Sequence, residues 1–114
     1  MATKVAGKQR IRLRGTNGAA DGKAWESTNV LRAGRLDSLE IVLDDPSVSR
    51  RHAEIRSSPE GWQLRDLDST NGTFLNGTRV ATCECPLQPR DVIQFGKITV
   101  VVEALDEAPQ ACIR

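Results

Sequence analysis

The chain has no tyrosine, two phenylalanines, two tryptophans, one histidine and one methionine among its 114 residues. With so little aromatic bulk, confined to Trp25, Trp62, Phe74 and Phe95, its core must be built largely from Val, Ile and Leu. An excess of charge is also lacking: 16 Lys and Arg stand against 15 Asp and Glu, a formal net charge of +1, so overall charge gives no case for a nucleic-acid or membrane partner. The longest aliphatic run, Ile98 to Val102, is interrupted by Thr99 and is far too short to span a bilayer. No apolar signal segment follows Met1-Ala2-Thr3-Lys4, and Cys83, Cys85 and Cys112 leave at least one thiol unpaired, so a reduced, cytoplasmic protein is expected.

What the chain does have is alternation. Arg10-Ile11-Arg12-Leu13-Arg14 sends Ile11 and Leu13 to one face and the arginines to the other, as a half-buried strand does. Short runs of this kind recur at Lys23–Ser27, Val30–Ala33, Glu40–Leu43, Arg51–Arg56, Trp62–Leu67, Thr73–Leu75, Thr78–Val80, Asp91–Phe95 and Ile98–Ala104. Turn formers separate them: Gly15 to Gly22, Asp44-Asp45-Pro46-Ser47, Ser57 to Gly61, and a loop holding Pro86 and Pro89. No window of about ten residues keeps a 3.6 period. The pattern predicts an all-β sandwich or barrel, with hydrophobic residues at 39% supporting one modest core. One domain is expected over residues 10–104, between a flexible leader at 1–9 and a flexible tail at 105–114.

The stretch Leu67 to Gly77 stands out because it holds two Asn-Gly pairs, Asn71-Gly72 and Asn76-Gly77, around the short strand Thr73-Phe74-Leu75. Asn and Gly tolerate positive φ, and Asp68, Ser69 and Thr70 bond their own backbone in turns, so two polar corners flank one rigid rung. Other donors fall at strand ends: Arg35, Ser49 and Arg50, with Thr70 and Asn71. Two guanidiniums, two hydroxyls and an amide form a donor-rich set with no carboxylate among them, suited to a tetrahedral dianion if the loops converge. Taken singly, each also fits a solvated loop side chain.

Three other constellations compete. Ser49 and His52 with Asp44, Asp45, Asp66 or Asp68 have the residue types of a hydrolase triad, but no glycine-framed elbow surrounds Ser49. Cys83 and Cys85 with Cys112 or His52 match no common zinc spacing, and neither a metal nor a cofactor is expected. Lys4, Lys8, Arg10, Arg12 and Arg14 form a basic arm without a stacking aromatic, which reads as a solvated strand face more readily than as a nucleic-acid contact.

Four ordered blocks, Gly34-Arg35, Ser49-Arg50-Arg51-His52-Ala53, Asp66 to Gly77, and Asp91-Val92-Ile93-Gln94-Phe95-Gly96, closely resemble the motifs of the forkhead-associated (FHA) domain family, from about Ile11 to about Ala104. The resemblance implies an eleven-stranded β-sandwich of the FHA/SMAD type whose loops at one edge bind phosphothreonine peptides, without catalysis. By the same resemblance Arg35 grips the phosphate, Ser49 contacts it, Arg50 adds a second cation, Thr70 supports the pocket and Asn71 bonds the peptide backbone, while Gly34, His52, Gly72 and Asn76 are architectural. The implied partner is a phosphothreonine-containing protein or a Ser/Thr protein kinase, with no nucleic acid or membrane and a monomer by default. A phospho-independent scaffold that self-associates or binds through a sheet face or edge is the alternative. Thr3 and Thr16 are candidate autoregulatory phosphosites. The chain departs from the pattern at Leu39-Glu40, where a small or polar residue and aspartate are usual, and at Arg90, where glycine is common.

Overall fold

A computed structural model describes residues 9–59, 61–80 and 84–107. The expected leader and tail beyond those limits, with Thr3, Cys83 and Cys112, lie outside the described residues. Among the described residues eleven strands run in chain order: β1 (Gln9–Gly15), β2 (Ala24–Ser27), β3 (Val30–Gly34), β4 (Ile41–Val42), β5 (Ala53–Ser58), β6 (Gly61–Asp66), β7 (Thr73–Leu75), β8 (Thr78–Val80), β9 (Cys85–Pro86), β10 (Val92–Phe95) and β11 (Ile98–Glu107). They form two sheets, in the orders β2-β1-β11-β10-β7-β8 and β4-β3-β5-β6-β9. The turn-rich segment after β1 holds a single 3-10 turn at Gly18–Ala20.

The alternation predicted for each strand decides which side chains meet between the sheets. Ile11 and Leu13 of β1, Ala53 and Ile55 of β5, Trp62 and Leu64 of β6, and Ile98, Val100 and Val102 of β11 are all buried. Their neighbours Arg12, Arg14 and Arg56 are exposed. Of the four aromatic residues, Trp62 and Phe95 are buried, Trp25 is half-buried against the core, and Phe74 is half-buried. Each large aliphatic side chain taken from water contributes about 1.5–3 kcal/mol, so aliphatic packing carries the fold.

Several strand limits differ from the sequence reading, each for a local reason. Only Ile41 and Val42 pair with β3, because Glu40 turns its carboxylate back onto the Arg32 backbone N–H (2.9 Å) and guanidinium instead of joining the ladder. β5 starts at Ala53, since Arg51 and His52 belong to the preceding loop, although the His52 N–H already reaches the Ala33 carbonyl at 2.8 Å. β11 runs on to Glu107 opposite Gln9, and a register shift between Arg12 and Leu13 makes Glu103 the extra residue. Such a bulge re-aims a side chain, and the Glu103 carboxylate accepts from Arg14 Nε at 2.7 Å. Arg12 meets Glu26 in the same way at 2.9 Å. The outward face of β1 is therefore a pair of ion pairs.

Parallel strands ordinarily need a long crossover, but β3 and β4 overlap by two pairs only, Ala33 with Ile41 and Gly34 with Val42. A short loop that leaves the end of β3 and returns is sufficient. Arg35 is the first residue of that loop.

Candidate functional site

Gly34 and Arg35 open the site because nothing larger than glycine fits at Gly34. A Cβ there would collide with the Arg50 carbonyl and lie 2.8 Å from Leu39 Cδ1. With no side chain in the way, the 47–51 loop crosses the end of β3 and is zipped to it by Arg35 N–H to Ser49 O (3.1 Å) and Leu36 N–H to Arg50 O (3.3 Å). Arg35 spends its Nε on the Val48 carbonyl at 2.6 Å, which holds the guanidinium in place, and among the described residues its two terminal nitrogens have no partner.

His52 stiffens the same loop from below. It is fully buried, edge-on to Phe95 with ring centroids 5.8 Å apart. Nδ1 accepts the Ser49 N–H at 3.0 Å, which places the ring proton on Nε2, and Nε2–H donates to the Gly72 carbonyl at 2.8 Å. Burial pushes the imidazole pKa down, so the ring is neutral near pH 7. Both nitrogens are committed to backbone, and the Ser49 hydroxyl accepts from Thr70 N–H at 3.0 Å, so the pair lacks the serine–imidazole bond that a hydrolase needs. His52 joins the two loops; it does not activate Ser49.

The second loop is organised by Asp66. Its buried carboxylate accepts from Ser69 N–H (3.0 Å), Ser69 Oγ (2.5 Å) and Thr73 Oγ1 (2.7 Å), while Ser69 Oγ accepts from Gly72 N–H at 3.0 Å. Burial pushes this carboxyl up, but the bonds from Ser69 and Thr73 outweigh it and hold its pKa below the usual range. Asp68 (φ 62°) and Gly72 (φ 91°) take the left-handed backbone that the tight loop demands. Thr70 and Asn71 are exposed as a result, and Asn71 Nδ2 is tethered to the Ser47 carbonyl at 2.9 Å. Asn76 is the outer brace, with φ 52°, its amide bonded to Asp91 Oδ1 (3.0 Å) and the Val92 N–H (2.9 Å).

The loops enclose an open cavity of about 550 Å³ lined by Arg35, Leu36, Ser49, Arg50, Arg51, Asp68 and Thr70. Four of the five proposed contact residues thus converge, and Asn71 is the fifth, beside Thr70 and tied to the 47–51 loop. Two members were missed in the sequence. Arg51 was read as the first residue of a strand, and it lines the cavity because β5 begins later. Asp68 was read as a turn former, yet it puts a carboxylate on the wall, so the site is not free of acidic groups. Among the described residues none of Arg35, Arg50, Arg51 and Asp68 is in an ion pair.

Both departures from the family pattern have local explanations. Leu39 packs towards Gly34, and Glu40 forms the ion pair with Arg32, whose hydrogen bond lowers the carboxyl pKa to about 2 despite the opposing effect of burial. Arg90 has φ 76°, which accounts for the glycine usual there, and its N–H reaches the Val102 carbonyl at 2.7 Å.

The FHA domain model matches residues 31–96. The chain is 42% identical over 69 residues to the glycogen accumulation regulator GarA of Mycolicibacterium smegmatis, covering 60% of this chain and 42% of that one. The chain spans less than half the length of the curated relatives it matches. Among solved structures, one from a structural and functional analysis of phosphothreonine-dependent FHA domain interactions superposes with a TM-score of 0.73 at 32% identity, covering 83% of this chain and 96% of that one. EmbR of Mycobacterium tuberculosis, in complex with a low-affinity phosphopeptide, gives a TM-score of 0.75 at 26% identity, covering 88% of this chain and 26% of that one. With its four sequence blocks, its two-sheet sandwich and a family match over residues 31–96, the chain belongs to the FHA domain family.

Proposed function

We propose that the chain is a non-enzymatic, phosphothreonine-dependent protein-binding module that docks a protein phosphorylated by a Ser/Thr kinase. The supporting observation is the cavity itself, where Arg35, Arg50 and Arg51 line one open space with Ser49 and Thr70 and no ion pair neutralises them among the described residues. Arg35 and Arg50 grip the phosphate, Ser49 and Thr70 complete its oxygen contacts, and Asn71 bonds the peptide backbone. A phosphothreonine carries about −1.5 to −2 charge at pH 7, with a second pKa near 6. Three guanidiniums opposed by Asp68 leave a formal +2, which matches the dianion. Binding therefore weakens below about pH 6, as the ligand takes up a proton, and in high salt.

The threonine methyl has an apolar neighbour in Leu36, which lines the cavity. Its full burial is worth about 0.8 kcal/mol, roughly a fourfold preference over phosphoserine. Affinity in the micromolar range, at about −8 kcal/mol, fits a ligand held mainly by extended backbone on loops. A phosphothreonine peptide library, with unphosphorylated and phosphoserine controls, provides the test. Retained affinity in Arg35→Ala, or a partner complex indifferent to phosphatase, would overturn the reading in favour of a phospho-independent scaffold.

A further inference from the structure

The chain holds three Asn-Gly pairs, at 17–18, 71–72 and 76–77, and all three asparagines are exposed. Glycine has no side chain to keep its backbone nitrogen away from the preceding amide, so each pair is open to deamidation. In that reaction the glycine N–H gives its proton to solvent and the nitrogen pair attacks the asparagine Cγ. The Cγ–Nδ2 bond then breaks, ammonia leaves with a proton taken from solvent, and a five-membered succinimide remains. Water opens that ring at either carbonyl, to aspartate or to isoaspartate.

The three pairs are held differently. Asn17 Oδ1 accepts from Thr99 N–H at 2.9 Å while its Nδ2 donates to the Lys97 carbonyl at 3.1 Å. Asn76 is tied in the same way, Oδ1 to Val92 N–H at 2.9 Å and Nδ2 to Asp91 Oδ1 at 3.0 Å. A donor on Oδ1 stabilises the negative charge that builds there as the nitrogen attacks. Gly18 and Gly77 are exposed, and among the described residues neither N–H has a hydrogen-bond partner. Asn71 is the reverse case. Its Nδ2 is tied to the Ser47 carbonyl, and among the described residues its Oδ1 accepts from no donor. Gly72, which would supply the attacking nitrogen, is buried, with its N–H on Ser69 Oγ at 3.0 Å and its carbonyl shared by His52 Nε2–H (2.8 Å) and Gly96 N–H (3.2 Å).

We propose that Asn17 and Asn76 are sites of spontaneous deamidation and that Ser69 protects Asn71 from the same reaction. For Gly72 to attack, its N–H must leave Ser69, and the loss of that one hydrogen bond slows the step about tenfold. The chemistry is independent of what the cavity binds; on the phosphothreonine reading, the amide that survives is the one that bonds the peptide. The products change the fold where they form. Aspartate at position 76 sets a carboxylate oxygen where Nδ2 now donates, against the Asp91 carboxylate, and the like charges repel. Isoaspartate there adds a main-chain atom to the two-residue turn between Leu75 and Thr78, which sets the hairpin register. Either product loosens the brace between the β7–β8 turn and β10. At position 17, aspartate turns an acceptor towards the Lys97 carbonyl, and that bond is lost.

The test is incubation of the whole chain at mildly alkaline pH, with peptide mapping by mass spectrometry at each pair and enzymatic methyl labelling of isoaspartate. In concentrated urea all three pairs should react at similar rates. In the folded chain Asn17 and Asn76 should be modified about tenfold faster than Asn71. Ser69→Ala should raise the Asn71 rate severalfold and leave that of Asn17 unchanged. The aged chain should unfold at a lower temperature than the fresh one, and Asn76→Asp should reproduce part of that shift. An outer asparagine that reacts no faster than Asn71 in the folded chain would overturn its assignment as a site. No increase at Asn71 in Ser69→Ala, or an equal increase at all three pairs, the signature of general loosening, would overturn the protective role of Ser69. An unfolding midpoint unchanged by ageing and by Asn76→Asp would overturn the loss of the brace.

Discussion

Two sets of arginines on the surface differ in their partners. On the sheets, Arg12, Arg14, Arg32 and Arg65 are matched one to one with Glu26, Glu103, Glu40 and Glu54, at 2.7 to 3.1 Å. At the loop edge, Arg35, Arg50 and Arg51 share one cavity and, among the described residues, form no ion pair. Residue type is the same in both regions; what differs is whether the backbone supplies a carboxylate opposite. Strand register does so across β1, β2 and β11, where Arg12 faces Glu26 directly and the bulge at Glu103 serves Arg14. The loops have no register, and their scaffold sets no carboxylate against these arginines: Gly34, Ser49, His52 and backbone carbonyls hold the 47–51 loop, and the Asp66 carboxylate is spent on Ser69 and Thr73. Arginines near in sequence to a site are therefore poor guides to function until their partners are known.

The largest effect that tests this division is on binding. Arg35→Ala should cost about a hundredfold in affinity for a phosphothreonine peptide, as expected for loss of two charge-assisted bonds to one dianion. Calorimetric titration measures it, and an unfolding midpoint close to the parent's shows that the scaffold stands. His52→Ala acts on the other half of the loop edge. It leaves the half-buried Ser49 N–H without its partner, leaves the Gly72 carbonyl with the Gly96 N–H alone (3.2 Å) and opens a void beneath Phe95, and a loss of about 3 kcal/mol in denaturant unfolding is expected.

Acid should act on the same scaffold in two stages. The folded-state pKa of His52 is depressed, so unfolded chains bind more protons below about pH 6.5, and stability present at neutral pH falls as pH drops through that value. The Asp66 carboxyl is also depressed, and its contribution, present above about pH 4, is lost on further acidification. Thermal unfolding without ligand from pH 8 to pH 3 reads both stages, and a midpoint unchanged down to pH 4 would remove the first. The smallest effect belongs to the paired set. Arg12→Ala should shift stability by about 0.5 kcal/mol or less and leave phosphopeptide affinity unchanged, and a drop in affinity comparable to that of Arg35→Ala would erase the distinction between the two sets.

The strands were legible because their signal is local. Period-two alternation in β1, β5, β6 and β11 states which side chains are inward, and Thr73–Leu75 and Thr78–Val80 could be bounded by their Asn-Gly turn. Limits went astray where a side chain competes with the ladder, as Glu40 does at β4, or where pairing continues without alternation to mark it, as at Glu107. Within the site, Arg35, Ser49, Arg50, Thr70 and Asn71 could be named from their blocks, whereas Arg51 and Asp68 could not. Their direction depends on loop backbone, including φ 62° at Asp68, which no periodicity encodes.

By itself the sequence determined the class of fold, the aliphatic core and the inventory of donors, since each follows from residue type and short-range spacing. Tertiary structure alone decided which arginines are neutralised and which are not. That depends on carboxylates up to 89 residues away, as with Arg14 and Glu103, and on a loop crossing permitted by the missing side chain at Gly34. Convergence of the loops on one cavity, and the hold of Thr99 on the Asn17 amide, are likewise products of packing between segments distant in the chain.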